Sequence, residues 1–125
     1  MDPKALLKDF MTTFAPCGYE KEMAYRFRDA ILPYAEDVSI DRIGNVIARF
    51  GDGDPACPRV MAFAHLDQLG FIVRKIEDDG FIQVDRLGGI PEKVLPGLTL
   101  RIQTRDGSYV YCVFGNKSHH AAGAE

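Results

Sequence analysis

The hydrophobic positions along the chain change period twice. Leu6, Leu7, Phe10, Met11 and Phe14 recur at helical spacing, and Pro3 stands where a first helical turn tolerates a missing N–H. The spacing predicts a helix over about 3–14, broken by Ala15-Pro16-Cys17-Gly18. A second helix is predicted over about 20–34, with Met23, Phe27, Ala30, Ile31 and Tyr34 on one face. Lys21, Glu22, Arg26, Arg28 and Asp29 charge its other face, and Pro33 ends or kinks it. Alternation then takes over. Val38 and Ile40 share one parity, Gly44-Asn45 punctuates, and residues 46–50 return as the second strand of a hairpin. The polar, Gly/Pro-rich stretch 51–58 (GDGDPACP) reads as a surface loop.

Residues 59–65 (RVMAFAH) are different in kind. This continuous apolar run, with a turn signal before it and a polar cluster after it, predicts a strand buried on both faces, as in the middle of an α/β sheet. Short strands with turns follow: 71–77 and 81–87 around Asp78-Asp79-Gly80, then 98–104 and 108–115 around Arg105-Asp106-Gly107. Turns every eight to twelve residues favour a small barrel or sandwich for this half. In the last strand Val110, Cys112 and Phe114 alternate with Tyr109, Tyr111 and Val113, so both faces are apolar, which suits a subunit contact or a covering segment. The ending, residues 119–125, carries no fold signal.

Composition narrows the function classes. The 125 residues are 46% hydrophobic and 26% charged, the balance of a globular domain. With 15 Lys or Arg against 18 Asp or Glu, the net charge is −3, and no basic cluster stands out, which argues against a nucleic-acid partner. No apolar run is long enough to span a bilayer and no signal peptide opens the chain, so no membrane partner is expected. Cys17, Cys57 and Cys112 are odd in number and far apart, which fits reduced thiols in the cytoplasm.

His65-Leu66-Asp67 is the one constellation with chemistry in it. It falls at the carboxyl end of the predicted buried strand, the edge where open α/β sheets bind ligands. A neutral imidazole is a common ligand of catalytic metal ions, and a carboxylate two residues on can orient its ring. By pattern alone, a histidine at a strand end is more often a hydrogen-bonded structural residue. The other signals are weaker. His119 and His120 form a pair in the tail, while Glu77-Asp78-Asp79, Asp52 and Asp54 are turn and loop chemistry rather than calcium ligands. Gly88-Gly89 is not a phosphate loop, and no Gly-x-Ser-x-Gly appears.

Residues 60–71 (VMAFAHLDQLGF) resemble the first metal-ligand segment of the dinuclear-metal aminopeptidases, a family that includes tetrahedral aminopeptidases, glutamyl aminopeptidases and relatives labelled endoglucanases. The segments 15–20, 41–46, 79–81, 88–90 and 94–97 resemble further family segments in the family's order, so the likeness runs from about Leu6 to Ser118. The fold this resemblance implies is α/β: residues 1–77 as the N-terminal part of a metallopeptidase catalytic domain, and 78–125 as the first part of an inserted small β-barrel used for oligomer contacts. The activity it implies is removal of N-terminal residues from peptides by metal-activated water. His65 would be a metal ligand, Asp67 its support, and two divalent ions (zinc or cobalt) the cofactors. A homo-oligomer is implied for the complete enzyme, a dodecamer among the candidate assemblies. The family's bridging Asp, general-base Glu and remaining ligands fall beyond residue 125. The expectation is therefore an incomplete enzyme, inactive by itself; the alternatives are a non-catalytic oligomerisation or binding module and a truncated gene product.

Overall fold

A computed structural model of the chain describes residues 2–51 and 53–115. The chain divides into two compact units, Met1–Gly88 and Gly89–Glu125.

The first unit opens with helix α1, Pro3–Thr12. Asp2 caps it, its carboxylate accepting the Lys4 N–H at 3.0 Å, and Pro3 fills a position whose N–H has no helical partner anyway. Thr13 closes the helix: its N–H donates to the Asp9 carbonyl at 3.0 Å and its hydroxyl to the same oxygen at 2.8 Å. Helix α2 spans Lys21–Ile31, and a 3-10 turn holding Pro33 continues it through Leu32–Tyr34. Both helices end two to three residues short of the predicted limits, where a threonine cap and a proline take over. The two apolar faces meet: the Phe10 and Phe27 rings lie 6.0 Å apart and tilted by 58°. Arg26 of α2 ties the exposed rim, donating to Asp9 at 2.7 Å and to Glu22.

Strands β1 (Asp37–Ile40) and β2 (Val46–Arg49) form an antiparallel hairpin in register from Asp37 opposite Arg49 to Ile40 opposite Val46. Its turn is organised by Asp41, whose carboxylate accepts the N–H groups of Ile43 and Asn45. α2 packs against both strands. Strands β3 (Gly70–Ile76) and β4 (Ile82–Leu87) form a second hairpin, with an irregularity between Val73 and Lys75. In the second unit, a 3-10 turn at Glu92–Val94 precedes the hairpin of β5 (Thr99–Gln103) and β6 (Tyr109–Val113). Val110 on one face of β6, and Tyr111 and Val113 on the other, are 52%, 71% and 63% exposed, so apolar side chains stand open on both faces.

The predicted buried strand at 59–65 is corrected. The segment is in no strand, and Val60, Met61 and Phe63 are 89%, 82% and 89% exposed. A run that is apolar on both faces needs a strand along each edge and a layer over each face. The described residues of this unit offer neither, because each hairpin pairs within itself. The barrel expectation is likewise reduced to hairpins: the sheets among the described residues are three separate two-stranded pairs. The β3–β4 hairpin crosses the expected 77/78 boundary and lies wholly in the first compact unit. His119, His120 and Asp52 lie outside the described residues.

What holds the 65–70 segment is a dock onto the exit of α1. Gln68 forms a parallel bridge with Pro16, and its N–H donates to the Ala15 carbonyl at 2.7 Å. Ala15 and Pro16 are buried, with Met23, Ala24 and Thr13. The approach is close enough that a Cβ on Gly70 would meet Pro16 Cβ at 2.8 Å. Gly70→Ala is therefore expected to destabilise the first unit by about 1–3 kcal/mol, the cost of one methyl forced into a packed contact. Denaturant unfolding checks this; an unchanged midpoint would show that the dock has slack.

The β5–β6 turn carries the clearest titration. The Asp106 carboxylate accepts from the Thr104 hydroxyl, the Ser108 N–H and the Ser108 hydroxyl. These bonds, the Thr104 hydroxyl foremost, draw its pKa down from 3.8 to about 2. A depressed carboxylate stabilises the fold above its unfolded value and loses that contribution as pH falls through the folded one. The turn is thus expected to hold at pH 4 and above and to loosen between about pH 4 and pH 2. Carboxyl-carbon NMR should give a midpoint near 2 for Asp106; a midpoint at the ordinary value would contradict the turn geometry.

Candidate functional site

The chemistry predicted at His65 and Asp67 depends on how the short turn between the exposed run and β3 is built. His65 Nδ1 lies 2.9 Å from the Asp67 main-chain oxygen and 3.1 Å from Asp67 Oδ1. A carbonyl oxygen can only accept, so Nδ1 carries the proton. In a neutral imidazole that leaves the lone pair on Nε2. The side chain is 83% exposed while Asp67 is 41% exposed, so Nε2 faces outward and the carboxylate backs the ring. This is the arrangement in which second-sphere oxygens orient a ligating histidine and raise its basicity. The structure thus brings together the two residues singled out in the sequence.

The 67–68 peptide unit explains the ring's orientation. A trans peptide is planar and its N–H and C=O point in opposite directions. Gln68 N–H is spent on Ala15 O, so the Asp67 carbonyl on the other side of the same plane turns to His65. Gln68 was not singled out by the sequence. Its side-chain amide donates to the carbonyls of Phe10 and Met11, both at 3.3 Å. These oxygens belong to the last turn of α1, where helical carbonyls have no partner within the helix. The one signal available was a polar amide placed between Asp67 and the apolar Leu69.

The fit to a metal ion can be tested on the donor set. His65 Nε2 is suited to a borderline-soft divalent ion in chemistry and in exposure. Among the described residues, however, no group of three or more His, Cys, Asp or Glu side chains could hold an ion. These residues provide one oriented imidazole and not a coordination shell of about four. Cys17, Cys57 and Cys112 are free thiols. Among the described residues no helix is long and apolar enough to cross a membrane.

Comparison with known proteins agrees with the resemblance carried by the motifs. Residues 44–125 match the model of the M42 glutamyl aminopeptidase family. SgcX of Escherichia coli K12 is 42% identical over 105 residues, which make up 84% of this chain and 28% of SgcX. The TET aminopeptidase from the marine sediment archaeon Thaumarchaeota archaeon SCGC AB-539-E09 aligns with a TM-score of 0.86 at 31% identity, over 96% of this chain and 33% of that one. The TET1 peptidase of Pyrococcus horikoshii, described as assembling into a tetrahedron or a large octahedral shell, aligns with a TM-score of 0.77 at 29% identity. That alignment covers 91% of this chain and 33% of the peptidase. The chain therefore spans about a third of the proteins it matches. From the family match over residues 44–125, and from a solved relative whose fold it follows over 96% of its length, the chain belongs to the M42 glutamyl aminopeptidase family.

Proposed function

We propose that the chain is the N-terminal part of a metal-dependent aminopeptidase that removes N-terminal residues from peptides, and that it does not hydrolyse peptides by itself. The observation that carries this is the oriented His65 ring, its Nδ1–H held by Asp67 and its Nε2 turned to solvent. His65 serves as one ligand of a two-ion site, and Asp67 supports it without binding metal. The ions, zinc or cobalt, supply Lewis acidity toward water and the scissile carbonyl when bound. The remaining ligands and the general base belong to the two thirds of the matched relatives that this chain does not span. The N-terminal part of the chain belongs to the catalytic domain, and its C-terminal part opens the inserted domain. There β6, with its exposed Tyr111 and Val113, serves contact between copies in a homo-oligomer. The assembly described for the TET1 peptidase supports that reading. The three free thiols support a cytoplasmic location.

The second reading is a non-catalytic oligomerisation module, favoured by the same exposed β6 and by the absence of a cluster of three donors among the described residues. One experiment separates the two. Metal content and peptide hydrolysis are measured on the isolated chain and on a graft of residues 1–115 into the matching segment of the Pyrococcus horikoshii TET1 peptidase. The isolated chain is expected to hold well below one equivalent of metal and to be inert. The graft is expected to be loaded and active. Asp67→Ala in the graft should lower kcat/KM by about 10–100-fold, the usual cost of an outer-sphere partner, and His65→Ala by more. A folded, loaded graft that keeps full activity with His65→Ala would overturn the ligand assignment.

A further inference from the structure

We infer that Gln68 is a positioning residue for His65, acting through the peptide plane that links Asp67 to Gln68. The inference rests on the reading of His65 as a ligand and adds to it the group that sets which ring nitrogen is offered. Three bonds converge on one residue. The Gln68 main-chain N–H is fixed to Ala15 O at 2.7 Å, and the side-chain amide is fixed to Phe10 O and Met11 O at 3.3 Å each. The Gln68 backbone and its amide therefore both reach the exit of α1, one on the strand-like bridge beside Pro16 and one on the helix's last turn.

The consequence runs along covalent geometry. With the side chain pegged, the 67–68 plane cannot rotate without breaking the Ala15 bond, and the carbonyl of Asp67 stays on the His65 side. That carbonyl selects the Nδ1–H ring and leaves Nε2 unprotonated. The Asp67 carboxylate, 3.1 Å from Nδ1, accepts from the same N–H and favours the same ring form. Gln68 holds the main-chain acceptor of the two. Asp67 and Gln68 thus divide the work: one supplies the oxygens, the other fixes the direction of the main-chain one. Gly70 completes the device, since only a residue without Cβ lets the chain close on Pro16 just beyond the peg.

The test reads the ring itself. The 125-residue chain is labelled with 15N-histidine and studied by NMR at a pH where imidazole is neutral and at a dilution where the chain is monomeric; the His65 signals are assigned with His65→Ala. The wild type is expected to show the Nδ1–H form. Gln68→Met, which keeps the stem and removes the donor, should lower the ratio of Nδ1–H to Nε2–H by roughly 3–10-fold, the range that one hydrogen bond commands. Gln68→Lys, which restores donors near the negative end of α1, should bring the ratio back. A folded Gln68→Met chain with an unchanged ratio overturns the inference and leaves the ligand reading intact. A wild-type ring in the Nε2–H form overturns the inference at its premise and, with it, the reading of Nε2 as the ligand atom. Should Gln68→Met not fold, exchange of the wild-type Gln68 side-chain amide decides: slowing relative to a solvated amide supports the peg, and free exchange overturns it.

Discussion

The dock of residues 68–70 on the exit of α1 is the constraint on which the rest of the first unit turns. One short main-chain bond from Gln68 to Ala15, a close van der Waals approach of Gly70 to Pro16, and the Gln68 amide on two helical carbonyls bring chain segments more than fifty residues apart into register. The dock sets where β3 begins, and therefore the pairing of Gly70 with Leu87 along the second hairpin. It also sets the 67–68 peptide plane, and through it the ring of His65. A neutral hydrogen bond contributes about 1 kcal/mol net, so no one of these bonds is large. Their effect comes from acting on one rigid plane.

Much of this architecture was legible in the sequence because it is local. Helical spacing of Leu6, Phe10, Met23 and Phe27 marked two helices, and alternation with Gly-centred turns marked the hairpins. Pro3 and Pro33 stand near helix ends for the reasons their rings dictate. The stretch 59–65 was misread for a physical reason. A hydrophobic pattern reports the environment a segment requires, and the described residues provide neither edges nor faces for it. Gln68 was missed because its partners, Phe10, Met11 and Ala15, are close only in the folded chain. His65 and Asp67 were singled out by type and spacing, but the tautomer of the ring depends on a carbonyl direction that no residue letter encodes.

The exposed apolar surfaces and the functional reading have a common explanation. Val60, Met61 and Phe63 are almost fully exposed in the first unit, and Tyr111 and Val113 are largely exposed in the second. Side chains of this kind are ordinarily covered, and contiguous exposed ones mark contact surfaces. In a protein about three times as long, the run at 59–65 would gain the neighbours its pattern calls for, and His65 would stand at the end of a covered strand. The uncovered run and the partial span of the relatives fit the functional reading.

The most direct test of the dock is backbone hydrogen exchange, read residue by residue on the intact chain. The dock predicts that the Gln68 amide, bound to Ala15 O, exchanges far more slowly than the amides of residues 60–64. Equal, fast exchange across 60–68 would mean that the turn is not held to α1, and the ordered His65 ring would lose its foundation.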